Sequence, residues 1–307
     1  MSAARRLIVS ADDFGLGAAV DAGVLAAVAA GGVTSVGVMG NLAAPSRVAA
    51  LAAVRPGLSV GVHLNLTTGR PLRDDVPSLV DARGDFHSLA TLGRRALARR
   101  IDAAEVAREL GAQIERVRAA GVTVDHLDSH EHVHLLPGVF GVVRRLARAD
   151  GLALRTHRPL LLAPPGANGR VAYYRRHPRR IATHLAKRLF ALRLRLAGVS
   201  TPDGMVASSL LTDPVPGGAR AEWAAIARAL PPGTWELVVH PADLGVSGDP
   251  NETAWLGDLV ERRAEELDAL CAPDFLAMLA DAGVTLVSFA ALREPVARRA
   301  VAEERYA

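Results

Sequence analysis

Residues 121–134 run Gly-Val-Thr-Val-Asp-His-Leu-Asp-Ser-His-Glu-His-Val-His. The first four residues have the pattern of a short buried strand, and Pro137 opens an apolar-periodic run that predicts a helix. We therefore expect the polar cluster between them to lie in a loop that joins a strand to a helix. In parallel α/β folds, loops at the carboxyl ends of strands carry the functional groups. This stretch thus predicts both a parallel α/β fold and the position of a site.

The cluster is rich in groups that bind metals. Four imidazoles and three carboxylates fall within the ten residues that follow Val124. A single histidine near a loop usually has a solvated or structural role, but four together indicate a metal site in which some members only support the ligands. His130 and His134 are four residues apart, so a helical turn would place both on one face. The pattern leaves open whether His130, His134 or both bind a metal. Glu131 would tune the charge of the site if it points inward.

Two adjacent acids follow the first predicted strand, residues 7–11, at Asp12 and Asp13. One acid in such a turn commonly caps the next helix. A pair of acids close to a histidine cluster favours two different roles, in which one carboxylate binds a metal and the other transfers a proton. His63 lies near the carboxyl end of another predicted strand, residues 58–66, and is the third ligand candidate.

Strands and helices alternate through most of the chain. Predicted strands cover 7–11, 33–39, 58–66, 121–124, 151–156, 234–239 and 284–289, and predicted helices cover 17–30, 45–54, 102–120, 137–149, 223–230, 252–270 and 274–282. This order gives seven or eight βα units, which predicts a distorted, TIM-like (β/α) barrel of parallel strands. We expect one domain over residues 1–307. The long irregular connection at 67–100 is typical of a substrate-binding loop.

An insertion or lid is predicted at about residues 160–205. Within it, a basic helix at about 179–196 has an apolar stripe at helical spacing, formed by Ile181, Leu185, Leu189, Leu192 and Leu196. We favour a lid or packing helix that turns its arginine face to water. Contact with a membrane or an acidic partner is the alternative for a basic amphipathic helix.

Composition excludes several classes of protein. The 307 residues contain 36 basic and 32 acidic side chains, so the net charge of +4 is too small and too scattered to indicate a nucleic-acid partner. Cys271 is the only cysteine, which excludes an internal disulfide and a thiolate-built site. No signal peptide or membrane-spanning run is present, so we expect a cytoplasmic protein. The sequence leaves a homodimer open.

Four motifs together resemble the YdjC/ChbG family of carbohydrate deacetylases: Ala-Asp12-Asp13-Phe-Gly, Gly-Val-His63-Leu, His126-Leu-Asp128-Ser-His130-Glu-His132-Val-His134 and His240-Pro-Ala-Asp243. The resemblance covers most of the chain and is least distinctive at about 160–205. It implies a distorted barrel that removes acetyl groups from N-acetylated sugars with a divalent metal, magnesium or zinc. It also implies that Asp13, His63 and His130 hold the metal and that Asp12 is the general base.

These roles agree with the needs of amide hydrolysis. A metal held by two imidazoles and a carboxylate keeps positions for water and for the carbonyl oxygen, and the leaving amine needs a proton. His240, at the end of another strand, is the candidate acid, and Asp243 is a weaker candidate for orienting it or binding substrate. The donor set leaves the metal open among zinc, magnesium, manganese and cobalt.

Two other functions stay open from the residues alone. The first is hydrolysis of a different bond, a sugar ester or a phosphoester. The sequence has no glycine-rich loop of the kind that cradles phosphate, which disfavours the phosphoester. The second is a non-catalytic sugar-binding barrel, which is disfavoured because binding alone requires only one of Asp12 and Asp13.

Overall fold

The computed structural model describes residues 4–160, 178–207, 217–246 and 260–292. Eight parallel strands form one sheet in this part of the chain. They are β1 (Arg5–Phe14), β2 (Ser35–Val38), β3 (Ser59–Leu64), β4 (Val124–Ser129), β5 (Ala153–Leu154), β6 (Gly204–Ala207), β7 (Gly233–Val239) and β8 (Val284–Val287). Their nearly continuous burial is typical of parallel sheets, which are covered on both faces.

The sheet curls into a distorted barrel. Its strands follow the order β5-β4-β3-β2-β1-β7-β6, and β8 pairs with β1 outside this path. A parallel bridge between Pro159 and Met205 brings the chain beyond β5 against β6, so the two ends of the sheet meet. The predicted α/β barrel of seven or eight parallel strands is therefore confirmed. The extra pairing of β1 with β8 accounts for part of its distortion.

Nine α-helices are described around the sheet. They are α1 (Ala18–Ala29), α2 (Pro45–Val54), α3 (Leu89–Leu97), α4 (Ala103–Ala119), α5 (Val139–Asp150), α6 (Pro178–Leu196), α7 (Gly218–Ala229), α8 (Val260–Cys271) and α9 (Phe275–Asp281). The helix α4 shows why they form: Asp102 caps its first turn through Ala104 N, and Val106, Leu110 and Ile114 bury one stripe. No helix among the described residues is long and apolar enough to cross a lipid bilayer.

Several boundaries differ from the sequence prediction. The prediction that the cluster lies in a loop, with only His126 in the end of the strand, is wrong for residues 127–129, because β4 continues to Ser129 by pairing with β3, with Asp128 opposite His63. The strand β6 and the helix α3 were not predicted, since each is short and lies in a stretch of weak pattern. Of the predicted insertion, 161–177 fall outside the described residues, as do 252–259 of the predicted helix at 252–270.

The connection after β3 is held by buried side chains. The Asn65 carboxamide oxygen accepts hydrogen bonds from the backbone N–H groups of Thr67 and Thr68 at 3.0 and 3.1 Å. The Glu109 carboxylate, from α4, accepts the N–H of Leu72 at 3.0 Å. These bonds order the start of the long connection. Its role in substrate binding stays a prediction.

The helix α6 does not pack through the apolar stripe predicted from the sequence. The five aliphatic side chains of that stripe are exposed: Ile181, Leu185, Leu189, Leu192 and Leu196. The helix instead packs inward through Ala191 and the fully buried Leu194, with Phe190 against Phe140 at 4.6 Å between ring centroids. The expectation that the stripe itself is the packing face is therefore wrong.

Candidate active site

The carboxyl ends of β1, β3 and β4 bring three of the predicted residues together. One ligand atom each from Asp13, His63 and His130 lies within 4.8 Å of the others. His130 Nδ1 is 2.8 Å and His63 Nε2 is 3.4 Å from Asp13 Oδ1. Asp13 has a φ of 69°, a left-handed conformation that costs on the order of 1–3 kcal/mol in most non-glycine residues and clusters at functional sites. A carboxylate and two imidazoles therefore converge on one point.

The surroundings of His63 favour a positive charge at this point. Its Nδ1 lies 3.0 Å from Asp128 Oδ1, so a carboxylate stands behind the imidazole, as is common for histidines that bind metals. Burial by itself lowers the pKa of His63, but the carboxylates of Asp128 and Asp12 outweigh it and raise this pKa to about 10. A buried position with surplus negative charge and a mixed nitrogen and oxygen donor set fits a divalent cation.

A second group, formed by Asp12, His63 and Asp128, also satisfies simple metal-binding distances. The guanidinium of Arg155 already lies against the two carboxylates of this group. Arg155 Nη1 and Nη2 bind the two Asp12 oxygens at 2.6 and 2.7 Å, and Nη2 is 2.9 Å from Asp128 Oδ2. Since a buried cation there would repel a metal ion, the group of Asp13, His63 and His130 suits a metal ion better than this one.

Asp13 receives support from a residue that the sequence analysis missed. Arg263 Nη2, from α8, binds Asp13 Oδ2 at 2.7 Å and leaves Oδ1 toward the two imidazoles. Burial alone raises the pKa of Asp13, but the charges of His130 and Arg263 outweigh it and hold this pKa well below its usual range. Nothing distinguishes Arg263 in the sequence, because α8 carries many charged residues.

Arg155 and Glu236 were also missed, although the sequence held a signal for both. Each is the only charged residue of an apolar strand segment, 151–156 and 233–239 respectively. Both are fully buried, and Arg155 Nε binds Glu236 Oε1 at 2.7 Å. Buried charges are usually paired, so two isolated charges in core strands could have been predicted to meet.

His240 also lies near the carboxylates of Asp12 and Asp13. Its Nε2 lies 3.9 Å from Asp12 Oδ2, and its side chain is 28% exposed. Its backbone N–H donates to Glu266 Oε2 at 2.5 Å. Asp243 accepts the N–H of Gly245 at 3.0 Å and shapes the following turn. Glu266, rather than Asp243, therefore holds the backbone of His240.

His134 lies apart from the group formed by Asp13, His63 and His130. The segment His130–Leu135 is a distorted 3₁₀ helix in which Glu131 and His132 have φ values of 49° and 58°. These left-handed residues rotate the chain, so the predicted placement of His130 and His134 on one helical face is wrong. His134 is buried, its Nδ1 bonds with Ser129 Oγ, and its ring lies 4.8 Å from that of His157. Glu131 is exposed, so it does not tune the site from within.

His126 is structural. It is fully buried, stacks on Phe289 at 4.1 Å between ring centroids, and places Nδ1 2.6 Å from Asp125 Oδ1. Ser59 Oγ donates to the same Asp125 oxygen at 2.7 Å. Ser59, Asp125 and His126 thus form a buried hydrogen-bonded group on β3 and β4, while His126 Nε2 has no hydrogen-bond partner among the described residues.

Comparison with known proteins agrees with these motifs. A family model described as YdjC-like protein matches residues 6–281. The chain belongs to the YdjC-like family. A relative named carbohydrate deacetylase, from Geobacillus stearothermophilus, is 35% identical to this YdjC-like chain over 287 residues, which are 93% of the chain and 97% of the relative.

Other relatives match the YdjC-like chain over a shorter length. A chitooligosaccharide deacetylase from Yersinia pestis is 43% identical over 153 residues, 50% of the chain and 59% of that protein. A crystal structure from Enterococcus faecalis has a TM-score of 0.72 at 24% identity and covers 95% of this chain and 100% of its own. The latter likeness shows a shared fold.

We predict that Glu266 makes stability depend on pH. Burial, the largest effect, raises the pKa of Glu266 from 4.5 to about 7. Between these values the unfolded state is ionised while the folded state keeps the proton, so stability falls as pH rises from about 4.5 to about 7. In metal-free wild-type protein, the ionisation of Glu266 should lower the free energy of unfolding by up to about 3 kcal/mol between pH 5 and pH 8. The Glu266→Gln protein should lack this decrease, as measured by urea denaturation at both pH values.

Glu265→Gln is the matched control for that experiment, because Glu265 lies on the same helix with 51% side-chain exposure. It should leave the slope of stability against pH unchanged. A Glu266→Gln protein whose pH profile runs parallel to that of the wild type would contradict the prediction.

Proposed function

We propose that this chain is a metal-dependent hydrolase that removes the N-acetyl group from an amino sugar or a chitooligosaccharide-like carbohydrate. One observation carries the proposal: Asp13, His63 and His130 converge beside the separate carboxylate of Asp12. The family membership and the names of the curated relatives support an acetylated carbohydrate as the substrate.

Asp13, His63 and His130 would hold the metal from one side. A divalent ion there supplies Lewis acidity toward the acetyl carbonyl and makes water easier to deprotonate near neutral pH. Asp128 orients His63 from behind, and Arg263 fixes Asp13. Two imidazoles and one carboxylate suit zinc well and also admit magnesium, and reconstitution with each metal would separate the two.

Asp12 would act as the general base. The paired contacts of Arg155 fix the plane of the Asp12 carboxylate, which leaves each oxygen with further capacity to accept a proton or a hydrogen bond. The guanidinium of Arg155 compensates the buried carboxylate of Asp12. Asp12 can therefore take a proton from the attacking water without first turning its side chain.

His240 would supply the proton that the leaving amine needs. It follows β7 and lies 3.9 Å from Asp12 Oδ2, and its partly exposed ring can reach a bound substrate. Glu266 fixes its backbone, so the ring is carried by a rigid strand end. A base and an acid on different strands can serve the two successive proton transfers of amide hydrolysis.

The direct test is acetate release after reconstitution with magnesium or zinc. N-acetylglucosamine and its short oligomers are the substrates, and an acetyl ester and a phosphate monoester of p-nitrophenol are the comparisons. We expect metal-dependent acetate release from at least one amino sugar, and its loss on chelation. Phosphate release without acetate release would support the phosphoester function instead, and no turnover of any substrate would support the sugar-binding one.

Gly37, on β2, is predicted to be necessary for metal affinity. A Cβ added there would stand 2.9 Å from Asp128 Oδ2 and 3.2 Å from His63 Nδ1. Gly37→Ala should therefore displace the carboxylate behind His63, weaken metal binding about 10–100-fold and cost about 1–3 kcal/mol of stability. Calorimetric metal titration and urea denaturation measure the two effects.

Gly111→Ala, within α4, is the control for Gly37→Ala. Apart from its chain neighbours and the nearby backbone of its own helix, no atom lies within 4 Å of its added Cβ. The control should keep the metal affinity and gain up to about 1 kcal/mol from helix propensity. Wild-type metal affinity in the Gly37→Ala protein would show that Asp128 does not support the metal ligand.

A further inference from the structure

The outward face of α6 is an aliphatic stripe that no described residue covers. The exposed fractions of its side chains are 45% for Ile181, 62% for Leu185, 52% for Leu189, 51% for Leu192 and 80% for Leu196. At 3.6 residues per turn, these five positions fall within an arc of about 80°. A contiguous exposed stripe of large aliphatic side chains is uncommon on soluble surfaces and usually marks a binding face.

Arginines border this stripe on both sides. On the same helical projection, Arg188 and Arg195 lie on one flank and Arg193 on the other, about 60–80° from the centre of the stripe. All three are exposed, and none is ion-paired to a residue in the described part of the chain. Residues 178–196 contain six basic side chains and no acidic one. Long basic side chains beside an apolar face can keep their charges in a polar layer while their stems cover apolar surface.

The opposite face of α6 fixes the helix to the barrel. Leu194 is fully buried and Ala191 nearly so. Phe190 packs against Phe140 at 4.6 Å and near His134 at 5.7 Å between ring centroids. The helix thus lies beside the segment that follows β4, and it presents its stripe away from the protein.

We propose that the α6 stripe docks on an anionic lipid bilayer. The aliphatic side chains would enter the boundary between headgroups and acyl chains, and the flanking arginines would contact the anionic headgroups. A second copy of this chain fits less well, because pairing two such helices would bring together two sets of arginines that have no ion-pair partner among the described residues. This inference concerns where the protein acts and does not depend on the bond it cleaves.

Vesicle flotation tests the proposal with the full chain. The probes are vesicles of phosphatidylcholine alone and of equimolar phosphatidylcholine and phosphatidylglycerol. We expect binding to the anionic vesicles to exceed binding to the neutral ones by about 100-fold at low salt, at about five-fold per arginine. Raising the ionic strength should weaken it, since headgroup attraction is screened.

Two sets of variants locate the contact. Leu189→Gln with Leu192→Gln should reduce binding to anionic vesicles at least ten-fold, at about 1.5–3 kcal/mol per fully buried leucine. Arg188→Gln with Arg193→Gln and Arg195→Gln should reduce it about 100-fold. The controls are Leu97→Gln, whose leucine is 76% exposed on α3, and Arg116→Gln, an exposed arginine on α4. Both controls should bind like the wild type, and all variants should keep the wild-type melting temperature.

Three results would overturn the proposal. The first is equal binding, or no binding, to the two vesicle types. The second is wild-type binding by the Leu189→Gln, Leu192→Gln protein. The third is a concentration-dependent dimer in sedimentation that this leucine variant abolishes, which would assign the stripe to self-association.

Discussion

Replacing Asp12 with Asn should reduce kcat about 10²–10⁴-fold while leaving the metal content unchanged. The carboxamide keeps the size of the side chain and one oxygen that can accept from Arg155, but it cannot take a proton from water. The proposed metal ligands lie at Asp13, His63 and His130, so they remain in place. Acetate release and elemental analysis of the same preparation measure the two quantities.

The control for this variant is Glu131→Gln, which neutralises an exposed carboxylate in the segment that contains His130. Its kcat should stay within about two-fold of the wild type, because an exposed charge is well screened. A normal kcat in the Asp12→Asn protein would show that another group removes the proton. Loss of the metal in that protein would show that Asp12 binds the ion.

His63→Ala and His130→Ala should each lose the metal. Each substitution removes one of three protein donors, so affinity should fall by more than the about 10–100-fold that is typical of groups standing behind the ligands. Mass spectrometry of metal content after gel filtration measures the loss. Turnover should disappear in both variants and should not return with excess metal at concentrations that saturate the wild type.

His134→Gln distinguishes the two histidines that the sequence left open. His134 bonds with Ser129 and packs against His157, outside the group formed by Asp13, His63 and His130. The variant should therefore keep its metal, with a reduced melting temperature because the replaced ring is buried. Loss of metal in His134→Gln with retention in His130→Ala would reverse the assignment.

Strand positions were predictable because buried parallel strands leave continuous apolar runs. The predicted bounds of α2 agree with the structure, and those of β1, β3 and β7 differ by a few residues at the ends. The strand β6 escaped prediction because Gly-Met-Val-Ala is too short to show a period. The helix α6 and its apolar stripe were predicted, but the stripe was expected to pack against the protein and is instead exposed. Periodicity shows which residues share a face of a helix, but it does not show whether that face meets the core or the solvent.

The sequence by itself determined the parallel barrel and the residues that meet at its carboxyl edge, because strand ends in such a sheet converge wherever the strands start in the chain. Tertiary structure alone decided how charge is distributed among those residues. Arg155 fills the group around Asp12 and Asp128, Arg263 turns Asp13 toward the imidazoles, and two left-handed residues separate His134 from His130. These outcomes depend on distances of a few ångströms between side chains up to 250 residues apart, and no local pattern of residues encodes such distances.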